Sequence, residues 1–468
     1  MQVTSVEQQP SGTAGATGGA PVSRPQVRAA ASRDEFARRD PVRFAGLAIQ
    51  LALLLVVFHL WKIETPQFFR LCIVAFGGFV IHYLTPFAHK QKALIALSLA
   101  GVLYLLKEWD NRLLGNYLAF LGPLVLIGFV VVVGLTIYLI LRTKAPFGVR
   151  AAALVGLGCG LAYLRVTDKV NLLPDGHWRI VGAIFMFRVI LYAYEVKVAR
   201  QPERLGDFLS YFLLLPNFYF VLFPVIDYTT FKKGYFSEDV HRIAQRGIWW
   251  MTLGTIQLLA YRVLYQLWCI GPEDVRSLST LLQWLFVPYL LYLRVSGQFH
   301  IIVGMLHLFG YKLPPTNRWY FFAPSFTEFW RRINIYWKDF MVRVVYYPAY
   351  FRWRKRSEKI ALVAATLLVF VVTCLLHSYQ AFWLAGTFDL KDTDLAFWGI
   401  LGLVVMIAVL RESGRRPAAA TGRGRAFAKR ALSTACVFVC ISLLWSLWSS
   451  YSLSEWWETL TQWMEHAA

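Results

Sequence analysis

Thirteen apolar stretches recur between residues 44 and 449, and they limit what this chain can fold into. They run approximately 44–61, 69–86, 93–107, 117–141, 149–165, 179–197, 207–226, 247–270, 280–295, 297–311, 359–378, 395–411 and 431–449. A hydrocarbon core of about 30 Å needs about 20 helical residues to cross it. No water inside that core satisfies backbone N–H and C=O groups, and a helix satisfies them within each span. Several stretches are short, so tilted, fused or re-entrant pieces are expected, and the reading is about 11 true spans. The expected fold class is all-α: a polytopic integral membrane protein with additional re-entrant or amphipathic helices.

Composition agrees, with 57% hydrophobic residues against about 45–50% in soluble domains. The net charge of +21 would suggest nucleic acid in a soluble chain. Here the cations cluster in short loops between spans, which is the positive-inside pattern, and nucleic-acid binding is set aside. Arg352, Arg354, Lys355, Arg356 and Lys359 form one basic loop; Arg411, Arg415, Arg416, Arg423, Arg425, Lys429 and Arg430 form another. Both are expected in the cytosol. The loop with Asp389, Asp392 and Asp394 and the tail with Glu455, Glu458 and Glu465 are expected outside. Residues 1–40, rich in Gly, Ala, Ser and Arg without an apolar core, read as a disordered cytosolic tail rather than a signal peptide. Residues 41–450 form the membrane domain, and 451–468 an amphipathic C-terminal tail. The six cysteines sit in apolar segments without a CxxC or CxxH pair, so no metal site is expected.

One stretch departs from the apolar pattern. In SFTEFWRRINIYWKDFMVRVVYYPAY (325–350), Phe326, Phe329, Trp330, Ile333, Trp337, Phe340 and Val344 share one helical face at 100° per residue. Glu328→Arg332 and Asp339→Arg343 are i,i+4 pairs on a second face. Ser325 with Glu328 reads as a capping box, and Pro348 suits the helix end. Asn334 falls at the seam of the apolar and basic faces. The stretch therefore reads as one amphipathic helix that lies at the interface or lines a polar cavity within the membrane.

Ionisable or strongly polar groups inside spans are costly, so each is a candidate. Arg188 and Glu195 lie two turns apart; Asn217 and Asp227 bracket a run broken by Pro216 and Pro224, which reads as a bent or re-entrant element; His300 and His307 share a face. His377 ends the apolar run IALVAATLLVFVVTCLLH. A straight helix from Lys359 places it about 27 Å further on, toward the outer side, among Leu375, Leu376 and Trp383. A neutral imidazole there has the character of a general base. GxSxG, Walker A, HExxH and His-x4-Asp patterns are absent. Asp392-Thr-Asp394 is a lone DxD.

Four pieces then stand in a familiar order: SGQFHIIVGMLHLFGYKLP (296–314), SFTEFWRRINIYW (325–337), YYP (346–348) and LLHSYQAFWLAG (375–386). Together with LLLPNFYFVLFPVIDYTTF (213–231), they resemble the membrane-bound O-acyltransferases. The likeness is strongest to the bacterial branch of alginate O-acetyltransferases and teichoic-acid D-alanyl transfer proteins. It covers roughly residues 180–386. It implies helices around a central tunnel, an essential histidine at His377 and a second site residue at Asn334. The bacterial branch often has His at the second position, preceded by Trp; here the pair is Ile333-Asn334, and an amide does not titrate.

The resemblance implies transfer of an acyl group, acetyl by family weight, from an acyl-CoA-type thioester to a hydroxyl of a glycan, lipid or other acceptor. His377 would be the base and Asn334 a hydrogen-bond donor. Arg331 and Lys338, flanking Asn334, and Trp330 are the candidate donor contacts. Acyl-CoA is a co-substrate and no bound cofactor is implied. Membrane lipids are neighbours, and an extracytoplasmic partner would fit an outer acceptor. The expected location is a bacterial inner membrane with the N-terminus in the cytosol. Two other classes are weighed: a polyprenyl-sugar glycosyltransferase resting on Asp392 and Asp394, and a transporter or flippase.

Overall fold

The computed structural model describes residues 33–106, 121–167, 173, 175–185, 187–199, 204–220, 222–413 and 423–467. Most of the expected tail lies outside these residues. Its last part is ordered: Arg33–Phe36 forms a helical turn (α1), and Asp40 accepts the N–H groups of Val42 and Arg43 to cap the next helix.

Helices α2 (Pro41–Leu60), α3 (Pro66–Leu84), α4 (Phe87–Leu105), α5 (Leu121–Arg142) and α6 (Phe147–Thr167) pack each against the next. Shorter pieces come after them: α7 (Asp175–Phe185), α8 (Arg188–Ala199), α9 (Leu205–Phe212) and α10 (Tyr228–Gly234). Next come α11 (Val240–Trp268), α12 (Leu278–Leu290) and α13 (Leu293–Leu308), then α14 (Phe326–Ile333), α15 (Ile335–Met341) and α16 (Tyr347–Trp353). The chain closes with α17 (Glu358–Ala385), α18 (Asp392–Ser413), α19 (Arg423–Ser449) and α20 (Leu453–Ala467). No strand occurs among the described residues; the bridge between Tyr235 and Tyr311 is isolated.

Eight helical stretches are long and apolar enough to cross a membrane: α2, α3, Gly122–Arg142, α6, Leu278–Leu308, α17, α18 and Gly424–Ser449. Their outward faces stay apolar, with Leu53, Val132, Val155 and Val371 all more than half exposed. Apolar surface on this scale belongs against lipid, and the chain is an integral membrane protein.

Several expected spans are not single helices. The stretch 207–226 breaks after α9 into a 3-10 turn, Leu215–Phe218, and Phe223–Asp227 is irregular, with the Ile226 N–H turned back onto the Pro224 carbonyl. Pro216 and Pro224 lack the N–H a helix needs there. The stretch 179–197 divides into α7 and α8. Arg188 does not bond Glu195; it donates to Asn217 Oδ1 at 2.7 Å and to the Tyr211 carbonyl at 2.9 Å, tying the broken segment to α8.

Close packing of α11 on α13 rests on four glycines, two on each helix and seven residues apart. A Cβ at Gly247 would lie 2.6 Å from the Gly304 carbonyl oxygen, and one at Gly254 2.6 Å from that of Gly297. Small residues let helix backbones approach this closely. Gly304→Ala is expected to cost about 1–3 kcal/mol by overpacking, since its Cβ would meet Gly247 O at 2.6 Å. Gly399→Ala on α18, with open space around it, should be neutral or mildly stabilising. Melting of the two variants in the same detergent checks this; equal melting temperatures would refute it.

Candidate functional site

The stretch 325–350 is two helices with an irregular join rather than one helix. Ser325 caps α14 by accepting the Glu328 N–H at 3.2 Å. The Glu328 side chain turns instead to Arg331 (3.1 Å) and Arg332 (2.7 Å), so the expected Glu328–Arg332 pair forms and the reciprocal half of the capping box does not. At Asn334 the backbone becomes extended (φ −143°, ψ 91°), ending α14 and starting α15. Asn334 Oδ1 accepts the Trp337 N–H at 3.0 Å, an N-cap that its residue type favours. The break is pinned from outside: Ile335 N–H donates to the Thr316 carbonyl (2.9 Å) and Arg318 N–H to that of Arg332 (3.0 Å).

After α15, a π-helical turn, Val342–Tyr346, leads into α16. Pro348 lies just past the π-helical turn, within a run that stays helical from Ile335 to Trp353, so the proline does not end the helix where the sequence pattern suggested a stop; the π turn accommodates it. Asp339 does not pair with Arg343. Asp339 meets Lys338, and Arg343 bridges Glu195 on α8 and Asp227 at the start of α10. A cavity of about 270 Å³ lies beside this triad, with Tyr336, Asp339 and Phe340 of α15 in its wall.

Contacts fix how this segment lies. Trp337 touches Thr373 and His377 of α17, while Tyr350 Oη donates to Glu358 at 3.3 Å, at the other end of α17. The α15–α16 rod therefore runs antiparallel to α17. Helix α18 is antiparallel to α17 as well, with Trp398 beside His377 and Gly402 against Phe370. Ser325, at the start of α14, bonds Glu412 at the far end of α18 (3.3 Å). Both ends of the segment thus meet at the end of the bundle marked by Glu358 and Glu412. Asn334 lies between them, on the approach to His377.

Helix α17 runs two turns past His377 to Ala385. The imidazole is half-buried, and its ring neighbours come from other helices: Trp337 (centroids 5.2 Å apart), Trp398 (4.6 Å) and Trp448 (6.0 Å). Leu375, expected beside it, is 48% exposed on the outer face of α17. His377 Nδ1 lies 3.0 Å from the Thr373 carbonyl oxygen. A carbonyl only accepts, so Nδ1 carries the proton and Nε2 keeps its lone pair in the neutral ring. Thr373, fully buried, also receives Trp337 Nε1–H on its hydroxyl at 3.4 Å. Asn334 and His377 are thus linked through one residue, Trp337, whose N–H is held by one and whose ring packs on the other.

The remaining candidates have partners of their own. Arg331 pairs with Glu328 and approaches Glu412 at 4.0 Å; Lys338 is held by Asp339; Trp330 packs on Phe370, its ring centroid 4.7 Å away. His300 stacks on Trp250 and bonds Gln257; His307 contacts the Val303 carbonyl and accepts the Leu313 N–H. Both are structural groups in the α11–α13 contact. Asp394 accepts Trp448 Nε1–H at 2.7 Å and Asp392 the Leu453 N–H at 3.1 Å, so the DxD serves helix ends and the tryptophan cluster. No group of three His, Cys, Asp or Glu residues suited to a metal ion occurs among the described residues.

Thr373, Trp337, Trp398 and Trp448 were not among the site residues that the sequence alone suggests. Thr373 had a local signal, four residues before His377; the two distant tryptophans had none. Neither a family model nor a curated protein matches the chain.

Proposed function

We propose that this chain is a membrane-bound O-acyltransferase. The observation that supports it best is the setting of His377: Nδ1 committed to the Thr373 carbonyl, Nε2 left basic, tryptophans around the ring, and Asn334 brought toward it by a segment that enters the bundle and returns. In the proposed reaction Nε2 takes the proton of an acceptor hydroxyl as its oxygen attacks the carbonyl carbon of an acyl thioester. The C–O bond forms, the C–S bond breaks, and the leaving thiolate takes the proton back from the imidazolium. Asn334 Oδ1 is used by the Trp337 N–H, which leaves the Nδ2–H group to donate to the thioester carbonyl as negative charge builds on it. No acyl-enzyme and no bound cofactor are needed.

The donor is an acyl-CoA-type thioester, acetyl-CoA first, and the acceptor a glycan or lipid hydroxyl. Arg331 and Lys338 would serve donor phosphates by exchanging their carboxylate partners for them, with Trp330 beside them. The finer architecture belongs to this proposal: about 11 spans around a tunnel, in a bacterial inner membrane, with the N-terminus cytosolic and an extracytoplasmic partner at the outer face. The glycosyltransferase reading loses support because Asp392 and Asp394 are engaged by the Leu453 N–H and the Trp448 ring.

Release of label from acetyl-CoA by the purified protein in nanodiscs tests the reading. Asn334→Ala is expected to lower kcat about 10²-fold, the scale of losing one oxyanion donor, with a smaller change in KM. An Asn334→Ala protein with unchanged kcat would remove Asn334 from the mechanism. Wild-type protein that neither consumes nor binds acyl-CoA would favour a transporter.

A further inference from the structure

A second cavity, of about 500 Å³, lies away from His377, within the 300–1,000 Å³ usual for small-molecule sites. It opens where α1, α4, α9 and α10 come together, beside Tyr311. Three cations stand around it: Arg33, Arg204 and Lys232. The one carboxylate in its lining, Asp207, accepts from Gln91 at 2.7 Å and lies 3.9 Å from Lys232. The balance inside is positive. Elsewhere the arginines of the 325–350 segment meet carboxylates directly; Arg204 meets none among the described residues.

The inner wall is aromatic. Tyr311 stacks on Phe231 with centroids 4.0 Å apart, and Tyr235 packs 4.8 Å from Tyr311. The Tyr235 hydroxyl is shielded from solvent and has no hydrogen-bond partner. A buried hydroxyl left unpaired costs free energy, and a ligand oxygen in the cavity would relieve that cost. Arg204 brings a guanidinium to the cavity with no carboxylate of its own among the described residues, and arginine forks suit phosphate oxygens.

We propose that this cavity binds a phosphate ester, its oxygens held by Arg204, Arg33 and Lys232 and by the Tyr235 hydroxyl, with the aromatic wall covering the rest of the ligand. The site does not depend on acyl transfer at His377. A soluble nucleotide and a phospholipid headgroup share this chemistry, and the experiment separates them. Melting is followed in nanodiscs of zwitterionic phosphatidylcholine with ADP or adenosine added, and in nanodiscs containing phosphatidylglycerol without nucleotide. A ligand that binds only the folded protein raises its melting temperature. Stabilisation by ADP and not adenosine identifies a nucleotide phosphate; stabilisation by phosphatidylglycerol identifies a lipid phosphate. In either case Arg204→Ala and Tyr235→Phe should each weaken binding about tenfold, the scale of one hydrogen bond to a charged group. Tyr235→Phe should do so without lowering the melting temperature of the unliganded protein, since it removes an unpaired hydroxyl. The proposal is overturned if neither probe stabilises the protein, or if both variants respond as the wild type does.

Discussion

His377→Ala is expected to lower acyl transfer by about 10²–10⁴-fold, the range attributed to a positioned general base. The loss should fall on kcat, because the imidazole acts on the acceptor proton and contributes little to holding the donor. The Thr373 carbonyl keeps the proton on Nδ1, so no substitute side chain restores the lone pair at the same place. The ring also packs against Trp337, Trp398 and Trp448, and alanine leaves a void there. His377→Gln fills most of that void without supplying a base, and should be as inactive as alanine while melting closer to wild type. Initial rates of label release, measured beside thermal melts, separate lost chemistry from lost packing. Near-normal transfer by either variant would sink the mechanism.

The second large effect concerns stability. Arg343→Met should destabilise the protein by about 3 kcal/mol, the lower end of the range for breaking a buried ion pair. The lower end applies because the Arg343 side chain is 33% exposed. Arg343 stands between Glu195 and Asp227, and its removal leaves two carboxylates facing each other in a poorly solvated place. Glu195 keeps only the Thr229 hydroxyl at 2.8 Å, and Asp227 its capping bond to the Thr230 N–H. Combining Arg343→Met with Glu195→Gln should recover part of the loss, because the repulsion disappears. A double variant no more stable than the single one would show that the triad matters by shape and not by charge.

Much of the fold was legible because lipid imposes one rule on every span. Apolar runs such as Pro41–Leu60 and Glu358–Ala385 became long helices. Breaks were legible where proline announced them, as at Pro216 and Pro224. The break at Asn334 was not, since FTEFWRRINIYWKDF keeps a continuous apolar stripe across it; the tertiary bonds made with Thr316 and Arg318 overrule the local preference. Charge pairing divided in the same way. Glu328 and Arg332 are one-turn neighbours, and their pair formed as the spacing predicts. Arg343 ignored Asp339, one turn away, for partners more than a hundred residues earlier in the chain. His377 was legible as a residue, but its surroundings were not, because Trp398 and Trp448 arrive on helices whose approach no local pattern records.

The return of the 325–350 segment to the end where it entered has a consequence for sidedness. Its two arms reach into the bundle without reversing the compartment of the chain beyond them. A short epitope inserted after Pro324 and another after Arg354 should therefore report from the same side of the membrane, although strongly apolar sequence separates them. Counting apolar arms as crossings here would misassign the side of every downstream loop. The geometry of Ser325 with Glu412, and of Tyr350 with Glu358, is what keeps that count even.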